Sequence, residues 1–221
     1  MTTNINTTTA ANRIPLWIKI AYTGFLAVMI PVYWINYGPT NFLYFCDVAL
    51  LLTLLGIWRE DALLISLPAV GILLPQVFWC VDFLVQLFGG ELTGMTAYMF
   101  DENRSLFLRG LSLFHGWLPF LLFYLVRRLG YERRALPGWT VICVALCLTS
   151  FFLLPAAGAE LADPKLPRNV NYVFGMDDAK PQDMMPPLVY LGVWIAALTG
   201  LVFVPTHVLL KKTCPPADKS H

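Results

Sequence analysis

The sequence predicts an all-α integral membrane protein: a bundle of six transmembrane helices with both termini in the cytoplasm. Three observations carry this reading. Hydrophobic residues make up 57% of the 221-residue chain and charged residues only 13%, roughly half the charge of an ordinary soluble domain. The mean hydropathy is +0.64. The apolar residues gather into stretches long enough to cross about 30 Å of hydrocarbon at about 1.5 Å per residue. A single soluble domain and a disordered chain are excluded. The net charge of +1 creates no field that would attract a polyanion, so no nucleic-acid partner is expected.

Taken in order, residues 1–15 form a short polar segment. Residues 16–210 form the membrane domain, and 211–221 a polar tail. The spans are 16–37, 42–58, 62–88, 106–126, 137–155 and 187–210. The first carries Pro31 and no small-residue cleavage site follows it, so it reads as a span rather than a signal peptide. The second is at the lower limit of length, and the third is long enough to tilt. In the fourth, Pro119 removes the hydrogen bond to the carbonyl of His115 and should bend the helix. Pro75 does the same to the carbonyl of Gly71 in the third. The fifth contains Cys143 and Cys147, which read as buried apolar side chains. The other cysteines are Cys46, Cys80 and Cys214, and no disulfide framework or metal-ligand spacing is visible.

Lysine and arginine set the orientation. The amino terminus, the turn at 59–61, the loop at 127–136 and the carboxyl tail hold ten of them, against five on the other side. The first group includes Arg59, Arg127, Arg128, Arg133, Arg134, Lys211 and Lys212, with Arg13 and Lys219 nearer the ends. This places both termini in the cytoplasm, and the arginine pairs are equally suited to anionic lipid heads. His207, near Lys211 and Lys212, reads as an interfacial anchor. The loops at 89–105 and 156–186 then face outward. The second is rich in proline but contains the apolar run 169–175, suited either to folding back over the helix ends or to resting at the interface.

Ionisable residues inside a membrane are costly and mark candidate sites. Asp47 is expected about 8 Å below the outer surface, Asp82 about 9 Å and His115 about 14 Å. Arg109 enters the fourth span near that surface, and Leu108, Ser112, His115 and Pro119 share one helical face. Three spans thus place their ionisable groups in the outer half.

The segments Tyr37–Asp47, Tyr98–Asp101 and Leu106–His115 resemble an uncharacterised bacterial family of multi-pass membrane-associated proteins. Asn169–Gly175 and Pro205–His207 extend the resemblance over most of the chain. In that family a serine often stands at the position of Cys46. The resemblance implies a location, the bacterial cytoplasmic (inner) membrane, and no chemistry. The chain is more remotely similar to six-helix membrane acyltransferases and lipid hydrolases of the androgen-induced hydrolase type. That similarity implies a Cys or Thr nucleophile near one span's end and a His on a later span, places that Cys46 and His115 would occupy.

Three functions follow as expectations. In a lipid-directed hydrolase or acyltransferase, Cys46 would attack an acyl carbonyl, with His115 as base and Asp47 or Asp82 orienting the imidazole. Arg109, Asn169 and Asn171 would receive an anionic headgroup or oxyanion. In a binding or transport protein, Asp47, Asp82 and His115 would hold a small polar ligand or a metal, although no motif names a specific metal or a cofactor. In a structural or lipid-binding bundle the same groups fix helix packing. Membrane lipid is the expected partner in every case, and a lipid or small-molecule ligand in the first two.

Overall fold

The protein is described by a computed structural model covering residues 14–163 and 165–217. Arg13, Pro164 and Lys219 lie outside the described residues. The described chain is helical, with one isolated β-bridge between Tyr131 and Pro216. The helices are α1 (Leu16–Tyr37), α2 (Phe45–Arg59), α3 (Ala62–Leu87), α4 (Leu106–Ser112), α5 (Phe114–Leu129), α6 (Ala135–Leu153), α7 (Pro187–Ala197) and α8 (Val204–Thr213). A π-helical segment, Leu198–Phe203, joins α7 to α8 into one continuous helix, Pro187–Thr213.

Local chemistry starts and stops these helices. Asp61 caps α3 by accepting the N–H of Leu64 at 2.9 Å, and Ser105 caps α4 through the N–H of Leu108 at 3.2 Å. Pro187 opens α7, where its missing N–H costs nothing. Arg127 and Arg128 close α5, and Lys211 and Lys212 close α8, each pair favourable against the negative end of the helix.

Five helices are long and apolar enough to cross a membrane: Leu16–Tyr37, Ala62–Leu87, Leu106–Leu129, Ala135–Leu153 and Pro187–Thr213. The stretch expected to be the second span is a 3-10 turn, Pro39–Leu43, followed by the 15-residue α2. At 1.5 Å per residue α2 is about 22 Å long, short of the hydrocarbon thickness. The fourth expected span is interrupted at Leu113 between α4 and α5, nearly two turns before Pro119.

α3 is the central helix. In its most apolar stretch 61% of residues are buried, against 22–33% in the other four long helices. It packs chiefly on α5 and α2, then on α6 and α8. Gly71 lets α6 approach. A Cβ there would lie 1.8 Å from the Trp139 ring, which is itself fully buried. Cys143 and Cys147 are fully buried, as expected.

The outer surface of the bundle is apolar. Phe120 and Leu201 are each 75% exposed and Ile35 is 80% exposed, alongside Leu16, Ile20 and Leu153. Water would make such a surface aggregate; lipid makes it the solvated side. This is an integral membrane protein.

Two opposite ends can be told apart by their contacts. At the basic end, Lys19 and the Ile14 N–H both bind Glu60, Ser66 receives the Glu132 N–H, and Tyr131 pairs with Pro215 and Ala217. The other end, the loop end, carries the α1–α2 turn at 38–44, the α3–α4 segment 89–105 and the α6–α7 segment 156–186. The described charges of the group set apart in the sequence, from Lys19 and Arg59 to Lys211 and Lys212, therefore fall on one end of the bundle. Part of the expected polar tail is ordered structure: 211–213 complete α8, and 214–217 dock on the 127–136 loop.

Candidate functional site

The loop end contains all seven candidate residues, Cys46, Asp47, Asp82, Arg109, His115, Asn169 and Asn171, in separate hydrogen-bond systems. Asp82 is the simplest. Its helix α3 ends five residues later, and the chain turns back so that Thr93 and Thr96 face the carboxylate. Oδ1 accepts the N–H (2.8 Å) and hydroxyl (2.7 Å) of Thr93, and Oδ2 accepts the N–H (3.0 Å) and hydroxyl (2.6 Å) of Thr96. Asp82 is buried, and four donors replace the water it has lost. Both its oxygens are engaged in closing the loop after α3.

Asn171 does the same for α2. The first N–H groups of α2 need acceptors from outside the helix. The segment 169–175 supplies one. Asn171 Oδ1 accepts the N–H of Phe45 at 3.0 Å, while its Nδ2 donates to the Leu43 carbonyl (2.9 Å) and Ser150 Oγ (3.3 Å). Trp194 of α7 donates to the Asn171 carbonyl at 2.9 Å. One residue thus ties together α2, α6 and α7. Asn169 closes the segment on itself, accepting the Phe174 N–H at 3.0 Å and donating to the Gly175 carbonyl at 2.9 Å. Asn169, Asn171 and Tyr172 all have positive φ, held there by this network. Val170 and Val173 are fully buried. Of the two arrangements open from sequence, folding back over the helix ends is the one found.

Segments at the rim carry their own charges. Asp101 accepts the N–H and side chain of Asn103 and lies 3.6 Å from Arg104. The Asn103 N–H, foremost, holds its carboxyl below the usual range. Asp178 is shifted the other way, upward, because it is partly buried. Arg104 lies against the rings of Tyr37 and Tyr98 at 5.8 and 5.5 Å.

His115 sits in an aromatic stack. Its ring lies 4.9 Å from Trp79 and 4.0 Å from Phe114 between centroids, and Trp79 continues onto Phe83. His115 Nδ1 is 2.8 Å from the Ser112 carbonyl, and the Ser112 hydroxyl is 2.9 Å from that of Tyr33 in α1. The carbonyl that Pro119 frees is met by the Cys80 thiol at 3.6 Å, a weak donor in the place where a bilayer offers none. Arg109 Nη1 donates to the Met99 carbonyl at 3.1 Å.

Cys46 and Asp47 occupy the first turn of α2. Cys46 Sγ lies 3.9 Å from Asp47 Oδ2, which also accepts Asn41 Nδ2 at 3.2 Å. Asp47 is 3% exposed, and its Oδ1 is buried with no hydrogen-bond partner among the described residues. Gln76, Trp79 Nε1 and Arg109 Nε share that condition at the same end of the bundle.

The structure therefore pairs Cys46 with Asp47 and His115 with the Ser112 carbonyl. The imidazole Nδ1 faces a backbone carbonyl, so no hydrogen bond links Cys46, His115 and an orienting carboxylate into a triad. No cluster of three His, Cys, Asp or Glu suited to a metal occurs among the described residues. Sequence reasoning missed Thr93, Thr96 and Ser150, the partners that give Asp82 and Asn171 their roles. The Thr-x-x-Thr spacing after α3 was the available signal for the first two; nothing local marks Ser150. A separate apolar cleft of about 240 Å³ opens on the bundle side between α1 and α2, lined by Ile30, Trp34, Pro39, Phe42 and Leu51.

No protein-family model matches this chain, and no curated protein or solved structure matches it.

Proposed function

We propose that this is a structural, lipid-binding multi-pass protein of the bacterial cytoplasmic membrane, with six spans and both termini in the cytoplasm. The single observation that carries the reading is the destination of the polar groups. Asp82, Asn169 and Asn171 spend their hydrogen-bonding capacity on closing loops and capping a short helix. Polar groups used this way fix which helices meet, as buried polar residues do in membrane bundles. The apolar cleft beside α1 and α2 is the natural seat for an acyl chain, since Trp34 at its rim suits the interfacial zone. The orientation follows from the excess of lysine and arginine at the basic end. The test is a comparison of stability with lipid chemistry. Asp82→Asn and Asn171→Ala lower the unfolding midpoint of the purified protein, while Cys46→Ala and His115→Gln leave the membrane's lipid composition as the wild type has it. Lipid turnover by the purified protein that disappears in Cys46→Ala would overturn the structural reading.

One observation favours a second reading, a small-ligand site. Asp47 keeps a buried carboxylate oxygen with no hydrogen-bond partner among the described residues, and Gln76 has two such atoms. Leaving these unpaired in a bilayer costs about 1–3 kcal/mol each, an expense that a bound polar ligand would remove. Under this reading Asp47→Asn abolishes ligand-induced stabilisation; under the structural one it changes stability alone.

A further inference from the structure

The basic end holds a small preformed pocket of about 70 Å³, lined by Tyr131, Arg133, Lys211, Cys214 and Pro216. A buried water needs about 10–15 Å³ on a comparable measure, so the space takes a group of a few heavy atoms and excludes a sugar or a base. Its walls are held by backbone. Tyr131 N–H donates to the Pro215 carbonyl at 2.7 Å and the Ala217 N–H donates back to the Tyr131 carbonyl at 3.1 Å. Gly130, at φ +89°, permits this docking: a Cβ there would lie 2.5 Å from Ala217 Cα. The Tyr131 hydroxyl is 2.6 Å from His207 Nδ1, which fixes the aromatic wall against α8. Tyr131 and Cys214 are buried, whereas Arg133 and Lys211 are exposed at the mouth.

No described residue neutralises the charge at this mouth. Neither the Arg133 nor the Lys211 side chain is hydrogen-bonded or ion-paired to another described residue. The described acids of the same end are already committed. Glu132 accepts Arg134 at 3.2 Å, Glu60 accepts Lys19 at 2.8 Å, and Asp61 caps α3. Two cations on different elements, one from the 127–136 loop and one from α8, therefore face one concavity with no anion among the described residues to answer them. Arginine offers a planar fork of donors and lysine a point charge, the usual pair for a tetrahedral oxyanion.

We propose that this pocket binds a phosphate group, carried by an anionic phospholipid of the adjacent leaflet or free in solution. The site is independent of the loop-end reading and needs only the bundle itself.

The experiment uses the full-length protein in a neutral detergent, with thermal unfolding followed by tryptophan fluorescence. The probes are dihexanoyl phosphatidic acid, dihexanoyl phosphatidylcholine and inorganic phosphate. At a concentration about a hundred times its dissociation constant, a bound probe raises the midpoint by about 5 °C or more. Phosphatidic acid is expected to do so in the wild type and phosphatidylcholine not. The rise is lost in Arg133→Gln/Lys211→Gln and kept in Arg59→Gln/Lys212→Gln, which removes the same charge from the same end. A rise with inorganic phosphate alone identifies the free anion as sufficient; a rise with phosphatidic acid only identifies the lipid. The proposal is overturned if no phosphate probe shifts the wild type, if the Arg133/Lys211 variant still responds, or if both double variants lose the response equally.

Discussion

Asp82 shows how much a single buried carboxylate can organise. Asp82→Asn replaces one acceptor oxygen by an amine that must face the N–H and hydroxyl of Thr93 or Thr96. Hydrogen bonds to a charged group contribute about 1.5–3 kcal/mol each, so a loss of roughly 3 kcal/mol is expected in unfolding of the purified protein. Asn171→Ala removes the cap on Phe45 and puts a side chain without a compensating hydrogen bond at φ 61°. It is expected to cost about 2–4 kcal/mol, with amide exchange rising first in the initial turn of α2. Glu132 gives a pH dependence of definite sign. The Arg134 guanidinium and N–H hold its carboxyl below the ordinary value. Its contribution is therefore fully present above the unfolded value of about 4.3 and is lost as pH falls through the folded one. Glu132→Gln should flatten that acid limb of the stability curve and lower stability near pH 8 toward the acid value, by the small amount that a solvent-screened pair contributes.

Among the elements, α2 sets the problem that its surroundings solve. The N-terminal donors of the 15-residue α2 need partners from outside the helix, and irregular backbone in a bilayer is tolerated only when protein surrounds it. The segment 169–175 meets both conditions. The π-helical segment Leu198–Phe203 is the corresponding irregularity in the last helix, and Thr199 Oγ1 within it is buried without a hydrogen-bond partner among the described residues. The contact of α3 with α6 rests on a missing side chain. Gly71→Ala drives a methyl into Trp139, and overpacking of this kind costs about 1–3 kcal/mol. Unfolding of Gly71→Ala should show that loss, and Gly71→Ala/Trp139→Phe should recover part of it. Such non-additivity is the signature of direct contact.

For the whole molecule, sidedness is the property on which both functional proposals turn. Residues from the first helix, the 59–61 turn, the 127–136 loop and the chain's end meet at one end of the bundle. A single cysteine introduced at Arg128 in a cysteine-free background should react with a membrane-impermeant maleimide only after the cytoplasmic side is opened. One introduced at Met176 should react in intact cells. The reverse pattern would place the basic pocket outside and remove the anionic leaflet from its reach.

The all-helical class, the membrane environment and the grouping of loops onto two ends were legible in the residues alone. Hydrophobic run length and the spacing of Lys and Arg are local properties that a bilayer reads directly. The freed carbonyl at His115 was legible too, because proline acts on its own helix. What the tertiary structure decided was the use of each polar group. Nothing near Asn171 in the chain announces Phe45, which is 126 residues away, and nothing near Tyr131 announces Pro215 or His207. The partners of Cys46 and His115, Asp47 and the Ser112 carbonyl, were hidden as well. Depth along a span can be counted, but the direction a side chain faces around the bundle depends on which helices pack together. That choice is made by contacts such as Trp139 on Gly71, between residues far apart in the chain.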